Sequence, residues 1–443
     1  MIDSPREKVA RSVQMRPDAG HTRIGRFPHV ARTGSGRTTR RHVRREHRAR
    51  MPDPNTRPEC RARTPRHGVC TPARAFKSDD EQHTNRNNMR QTMLTCFLPF
   101  LTALIWNTSC SSDNSDNNTP PEPQPTTYDI YAAGYKTVDS KAVATVWKNG
   151  TELYALTDGT SDAWAYGICV NNGTVYTAGY EEQDGHIVAV LWENATLKYT
   201  LGASGSNSYA LAVTVSDGTA YTAGSTTVDG SLTATVWENG SVLHTYSVSP
   251  ATSQARAVAV SGSDVYAAGN LQPGGTQPVA EVWKNADAHY TQSDGTTPGD
   301  IRGLFIAGSD LYTAGHIGEQ AVVWRNGSLL YTLTDGSSSA EAMSLWRDGS
   351  TLYTAGYYTT SDFGEQGVVW QNGTELYTLS DGKGAGSMPY AVAAWGGTVF
   401  TAGTLFGNGR HAAVWQNDGL LYTLDRGEAY AMYVVPHYGT TQE

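Results

Sequence analysis

The side chains with most to offer chemically stand at one equivalent place in a unit that recurs along the chain. Two residues before the apolar centre of each unit's first run come Tyr166, Leu211, Arg256, Arg302, Met343, Tyr390 and Tyr430. Two arginines in successive units, with three tyrosines, are residue types that grip an anionic or sugar ligand. Guanidinium forks give paired charge-assisted hydrogen bonds, and phenol rings stack. Tyr166, Arg256, Arg302, Tyr390 and Tyr430 are therefore the candidate ligand-binding residues. An architectural role competes with that reading: the tyrosines pack between neighbouring units, and the arginines neutralise nearby Asp300 and Glu341.

Catalytic chemistry is not signalled. His186, His244, His289, His316, His411 and His437 are scattered, and only His186, His316 and His411 approach the loops that vary between units. Asp184, Asp229, Asp362 and Glu365 fall in loops, but no spacing singles out an acid–base pair. No Gly-rich phosphate loop, nucleophile elbow or Cys/His cluster of zinc spacing occurs. No catalytic residue, metal or cofactor is expected.

Positioning the candidates falls to the repeat itself. An Ala-Gly mark following an aromatic residue ends at Gly134, Gly179, Gly224, Gly269, Gly315, Gly356 and Gly403. A Val-Trp or Leu-Trp mark follows at Trp147, Trp192, Trp237, Trp283, Trp324, Trp370 and Trp415. Seven units of this length indicate a solenoid, a propeller or an array. Each unit holds four short apolar runs of two-residue alternation, which read as strands; in the second unit they are 166–170, 175–179, 187–192 and 196–201. An Asn separates the third and fourth runs throughout, mostly as Asn-Gly (Asn149-Gly150, Asn239-Gly240, Asn326-Gly327, Asn372-Gly373), the signature of a type I′ hairpin. Four antiparallel strands repeated seven times predict an all-β, seven-bladed β-propeller. The chain enters on a second strand at Ile130 and leaves on a first strand ending at Val435. Pairing of the N- and C-terminal strands then closes the ring and removes exposed edges.

Antiparallel order places the tight turns, such as Asn172-Gly173 and Asp217-Gly218, on one face. The variable loops 180–186, 270–276, 357–363 and 405–411 share the other. The candidate ring should lie near that loop-rich end of a central channel, where a rigid scaffold usually carries binding.

Residues 255–269, with a small-apolar run followed by Val-Tyr-Ala-Ala-Gly, resemble the bacterial seven-bladed propeller repeats related to the NHL family. The resemblance covers about residues 128–438 and departs from NHL proper in having Gly where that family often has Asp. It implies that the small-apolar run is the innermost strand and the aromatic-Ala-Gly run the second. It specifies fold and hardly any function.

The formal net charge of -8 over 443 residues joins two opposite segments. Residues 1–90 hold 22 Lys and Arg against 9 Asp and Glu, and residues 91–443 hold 12 against 33. All 24 Tyr lie at or beyond Tyr128. A basic stretch without Tyr or Trp cannot bury enough apolar surface to form a domain, and the acidic remainder excludes nucleic acid as a partner. Residues 93–106 are apolar but too short to span a membrane. They have the length of a signal-peptide core, with Met89-Arg90 before it and Cys110 after.

That arrangement resembles a bacterial lipoprotein signal, which implies lipidation of Cys110, and the acidic run after Cys110 resembles the surface-export signal of Bacteroidetes lipoproteins. The expected organisation is a basic segment 1–88 from a start assigned too far upstream, a signal peptide 89–109, a tether 110–127 and the propeller 128–438. A genuine basic arm, with Arg40-Arg41-His42-Val43-Arg44-Arg45 as a nucleic-acid patch, is the alternative for residues 1–88. Cys169, in an apolar run, is expected to be buried and inert.

Together these readings describe a monomeric propeller, lipid-anchored in the outer membrane and exposed at the cell surface, that binds a glycan or a surface protein. A polysaccharide lyase or glycosidase, and a structural scaffold in a surface complex, are the competing classes.

Overall fold

The computed structural model describes residues 124–439 apart from 204, 247–250 and 362–363. The basic segment, the signal peptide, Cys110, the start of the tether and Asp362 lie outside the described residues. Within them every regular element is a β-strand. Five sheets contain four antiparallel strands in sequential order, and a sixth contains seven. The seven-stranded sheet arises because Gly419–His437, a strand of 19 residues, pairs with Gly409–Gln416 over its first part and with Thr127–Val138 over its second. The change of partner falls at Gly427, whose φ of 150° and backbone approach to Tyr135 suit only glycine.

Local chemistry explains the turns. Asn149, Asn239, Asn326 and Asn372 have φ between 46° and 51°, and the glycines after them are also in positive φ, as a type I′ hairpin requires. The asparagine has a second task in all seven units. Its Oδ1 accepts a backbone N–H from the second strand, from Ile130 to Asn149 at 2.8 Å through Val399 to Asn417 at 3.0 Å. The turn is thereby tied to the strand beside it.

Burial explains the tryptophans. All seven third-strand tryptophans are at most 3% exposed. Six of the seven hydrophobic clusters straddle consecutive sheets: Trp237 packs with Leu191 and Ala189 of the preceding sheet, Trp283 with Val236, and Trp415 with Val369. Trp147, in the first repeat, packs with Phe400 and Val414 of the last. The inner strands follow the same sequence of neighbours, from Ala163–Asn171 onward to Gly419–His437, which packs against Ala163–Asn171 in turn. Cys169 is buried among Leu191, Val213 and Trp237.

One irregularity recurs in every repeat. The pairing of first and second strands slips by one residue, and the residues left over are Tyr166, Leu211, Arg256, Arg302, Met343, Tyr390 and Tyr430. The extra residue of a β-bulge is unpaired, and its side chain is re-aimed. The Ala-Gly glycine lies opposite each bulge. A Cβ on Gly134, Gly179, Gly224, Gly269, Gly315, Gly356 or Gly403 would overlap the carbonyl oxygen of Glu428, Trp164, Tyr209, Gln254, Asp300, Glu341 or Met388 respectively. The residue facing each of these glycines on the third strand is Thr145, Val190, Thr235, Glu281, Val322, Val368 or Ala413. Glu281 alone among them ionises. It is 3% exposed, and burial raises its carboxyl to about 6, only partly offset by the Thr291 hydroxyl.

Two outcomes follow for stability. Gly315→Ala, which drives a methyl into the Asp300 carbonyl, should cost about 4 kcal/mol or more. Gly185→Ala, with open space but φ of 77°, should cost about 1 kcal/mol; equal losses in urea unfolding would show that the bulge contact does not govern this position. For Glu281 the folded carboxyl binds its proton more tightly than the unfolded one, so stability falls as pH rises from 4.5 through about 6. Glu281→Val should therefore stabilise the protein by about 2 kcal/mol at neutral pH, with the gain fading toward pH 4.5; a pH-independent gain would point to packing instead.

Candidate functional site

The bulges converge. Tyr166, Leu211, Arg256, Arg302, Met343, Tyr390 and Tyr430 all line one cavity of about 240 Å³, each half-buried. Two residues further along five of the inner strands lies a collar of aliphatic side chains, Ile168, Val213, Val258, Leu304 and Leu345. The cavity thus has a polar and aromatic wall over an apolar floor. All five candidate residues from the sequence meet here.

The wall has two unlike arcs. On one, Tyr166 stacks on Tyr430 with centroids 4.3 Å apart and planes at 6°, and on Tyr180 at 5.2 Å and 19°. Tyr390 meets Tyr430 edge-on at 5.1 Å, and Tyr180 meets Tyr209 likewise at 5.2 Å. The Tyr180 hydroxyl donates to that of Tyr166 at 3.1 Å. Burial pushes the Tyr166 phenol up to about 12, and burial together with neighbouring Glu428 and tyrosines keeps Tyr390 and Tyr430 well above their ordinary value. The phenol faces that sequence reasoning assigned to a ligand are spent largely on one another.

On the other arc, Arg256 Nε donates to Asp300 Oδ2 at 2.8 Å and Arg302 Nε to Glu341 Oε1 at 2.7 Å. Asp300 Oδ2 also lies 3.6 Å from Arg302 Nε. The architectural partners named from the sequence are therefore engaged, while the arginine side chains keep 21% and 24% of their surface open. A guanidinium carries five N–H donors, more than one carboxylate can take, so each arginine has donors to offer the cavity. Burial and then Arg302 push the Arg256 guanidinium down, against the pull of Asp300 and Glu341. For Arg302 the two carboxylates outweigh burial and hold it above its ordinary value.

The links obey a rule that sequence reasoning caught only in part. The carboxylate stands two residues before the bulge of one repeat, and its partner is the bulge residue of the repeat before. Asp300 takes Arg256, Glu341 takes Arg302, and Glu428 takes the Tyr390 hydroxyl at 3.1 Å. Glu428, with Arg410 at 2.6 Å and Tyr135 at 3.4 Å, was missed, although its offset from Tyr430 equals that of Glu341 from Met343. His316 and Tyr357, placed from the sequence only at the variable loops, both reach Glu341: His316 lies 3.0 Å from it and the Tyr357 hydroxyl donates to it at 3.1 Å. Burial would raise Glu341, but Arg302 and His316 outweigh it and hold the carboxyl far below the usual range. Among the described residues no group of three or more His, Cys, Asp or Glu is arranged to hold a metal.

Removing the Glu341 charge tests the link. Glu341→Gln leaves Arg302 without its nearest counter-charge and should destabilise the fold by about 3 kcal/mol at neutral pH. Because the folded carboxyl is depressed, its contribution is complete above 4.5 and is lost as pH falls below that value. The gap between wild type and variant should therefore narrow in acid; a gap of constant size in denaturant unfolding would contradict the ionic assignment. Compared with known proteins, the sequence matches no family model and no curated protein, so the reading of this site rests on its geometry.

Proposed function

We propose that the chain is a seven-bladed β-propeller whose channel mouth binds glycans, held at the outer membrane surface by a lipid on Cys110. Ring closure is supported by one hydrophobic cluster for each of the seven repeats, by the packing of Trp147 on Phe400, and by pairing of Thr127–Val138 with the end of the chain. The anchor and the surface location rest on the sequence of residues 89–127, and the protein acts as a monomeric module there.

The observation that carries the ligand reading is the cavity itself. Two guanidinium groups with donors to spare share a cavity of about 240 Å³ with a stacked tyrosine wall and aliphatic side chains. That space admits a ligand on the scale of one sugar residue, since a water takes about 30 Å³. Sugar hydroxyls meet the donors and the C–H face of the ring meets the collar.

Binding fits better than catalysis. General acid–base work needs a group titrating near the working pH, whereas Glu341 is held far below its usual range and Tyr166, Tyr390 and Tyr430 far above that pH. The test is a glycan panel incubated with the Cys110→Ser protein, read by thermal shift and by product release. A shift without product is expected. Arg256→Lys with Arg302→Lys keeps both ion pairs but loses the planar forks, and should weaken the retained glycan about tenfold with little change in Tm. Product release would favour the lyase or glycosidase class, and a silent panel with a captured surface protein would favour the scaffold.

A further inference from the structure

The charges around the cavity discriminate between two kinds of sugar. The wall contributes two cations, Arg256 and Arg302, and each already meets a buried carboxylate, Asp300 at 5% exposure and Glu341 at 8%. The carboxylate beside the tyrosine arc, Glu428 at 3% exposure, is matched by Arg410. Three cations therefore meet three carboxylates, and the surplus charge of residues 91–443 is negative, with 12 Lys and Arg against 33 Asp and Glu. His316 faces Glu341 rather than an unmatched site. The arginines thus offer hydrogen-bond donors but no uncompensated charge.

We infer that the channel selects uncharged sugars and rejects their uronic acid counterparts. This rests on the glycan reading above. A hydroxyl oxygen can accept from guanidinium N–H groups already held by Asp300 and Glu341, and it adds no charge to a partly buried site. A carboxylate would bring a negative charge into a balanced cluster inside an acidic domain, where desolvation and repulsion from Asp300 and Glu341 oppose it. Guanidinium pairs usually signal an anion; here the built-in carboxylates have taken that role.

Matched pairs test it: the methyl glycosides of glucose, galactose and mannose against the corresponding methyl uronides, titrated calorimetrically into the full Cys110→Ser chain. Within the pair that binds, the neutral sugar should bind about tenfold more tightly. A uronide that binds as well or better overturns the inference and leaves the glycan reading standing. If no member of any pair binds, the glycan reading fails and takes this inference with it. Glu341→Gln supplies a second arm. By freeing one guanidinium from its counter-charge it should swing the ratio toward the uronide by about tenfold, and an unchanged ratio in the folded variant counts against the charge balance. The wild-type comparison decides alone if that variant does not fold.

Discussion

A single close approach underlies the architecture: the α-carbon of each Ala-Gly glycine lies where the first strand's carbonyl leaves no room for a methyl. That proximity exists because the first strand carries one residue more than its partner at this point, and the slipped ladder brings the two backbones together. A side chain on the second strand would push the ladder apart and relax the bulge. The glycine is thus bound to the bulge, and the bulge decides which residue faces the channel. Seven glycines fix seven positions in space without fixing the side chains there, so the ring can hold Tyr, Leu, Arg or Met on one unvarying backbone.

The buried carboxylates exploit the same geometry. Asp300, Glu341 and Glu428 each stand two residues before a bulge, and each is reached by a bulge residue from the preceding repeat. Buried ion pairs add little net stability when weighed against apolar packing of similar volume. Cohesion between sheets comes instead from the tryptophan clusters, since burying a large aromatic side chain contributes about 3 kcal/mol. What the polar links add is position: each joins the ring side chain of one repeat to the carboxylate two residues before the bulge of a following one.

Features that depend on local backbone chemistry were legible in the sequence. Asn-Gly dictates its hairpin through positive φ alone, and a tryptophan at one period in seven units has to be buried somewhere regular. The antiparallel strand order within a repeat, the ring position and the Asp300 and Glu341 partners could be read for that reason. Properties of a pairing were not legible. A bulge appears in sequence only as a count of residues between two marks, and nothing in Tyr166 or Arg302 announces that it lies outside the ladder. The merged strand Gly419–His437 escaped because a fourth strand and a first strand run on without a turn, through Gly427. Glu428 escaped because its partner Arg410 lies on a neighbouring strand, outside the run that defined the ring. The mutual stacking of the tyrosines also escaped, since it requires knowing that the first and last repeats meet.

That stacking makes the two arcs of the cavity unequal. Tyr166, Tyr180 and Tyr430 satisfy one another: ring meets ring, the Tyr180 hydroxyl meets that of Tyr166, and their surroundings keep the phenols protonated. This arc needs nothing from a ligand and supplies a rigid wall. The arginine arc is satisfied in charge but not in hydrogen bonds, because five donors per guanidinium exceed what the adjacent carboxylates can accept. The capacity to recognise something is therefore concentrated on two adjacent sheets. On the proposed binding reading, a small asymmetric molecule, polar toward Arg256 and Arg302 and apolar toward the collar, finds its contacts within one side of the cavity.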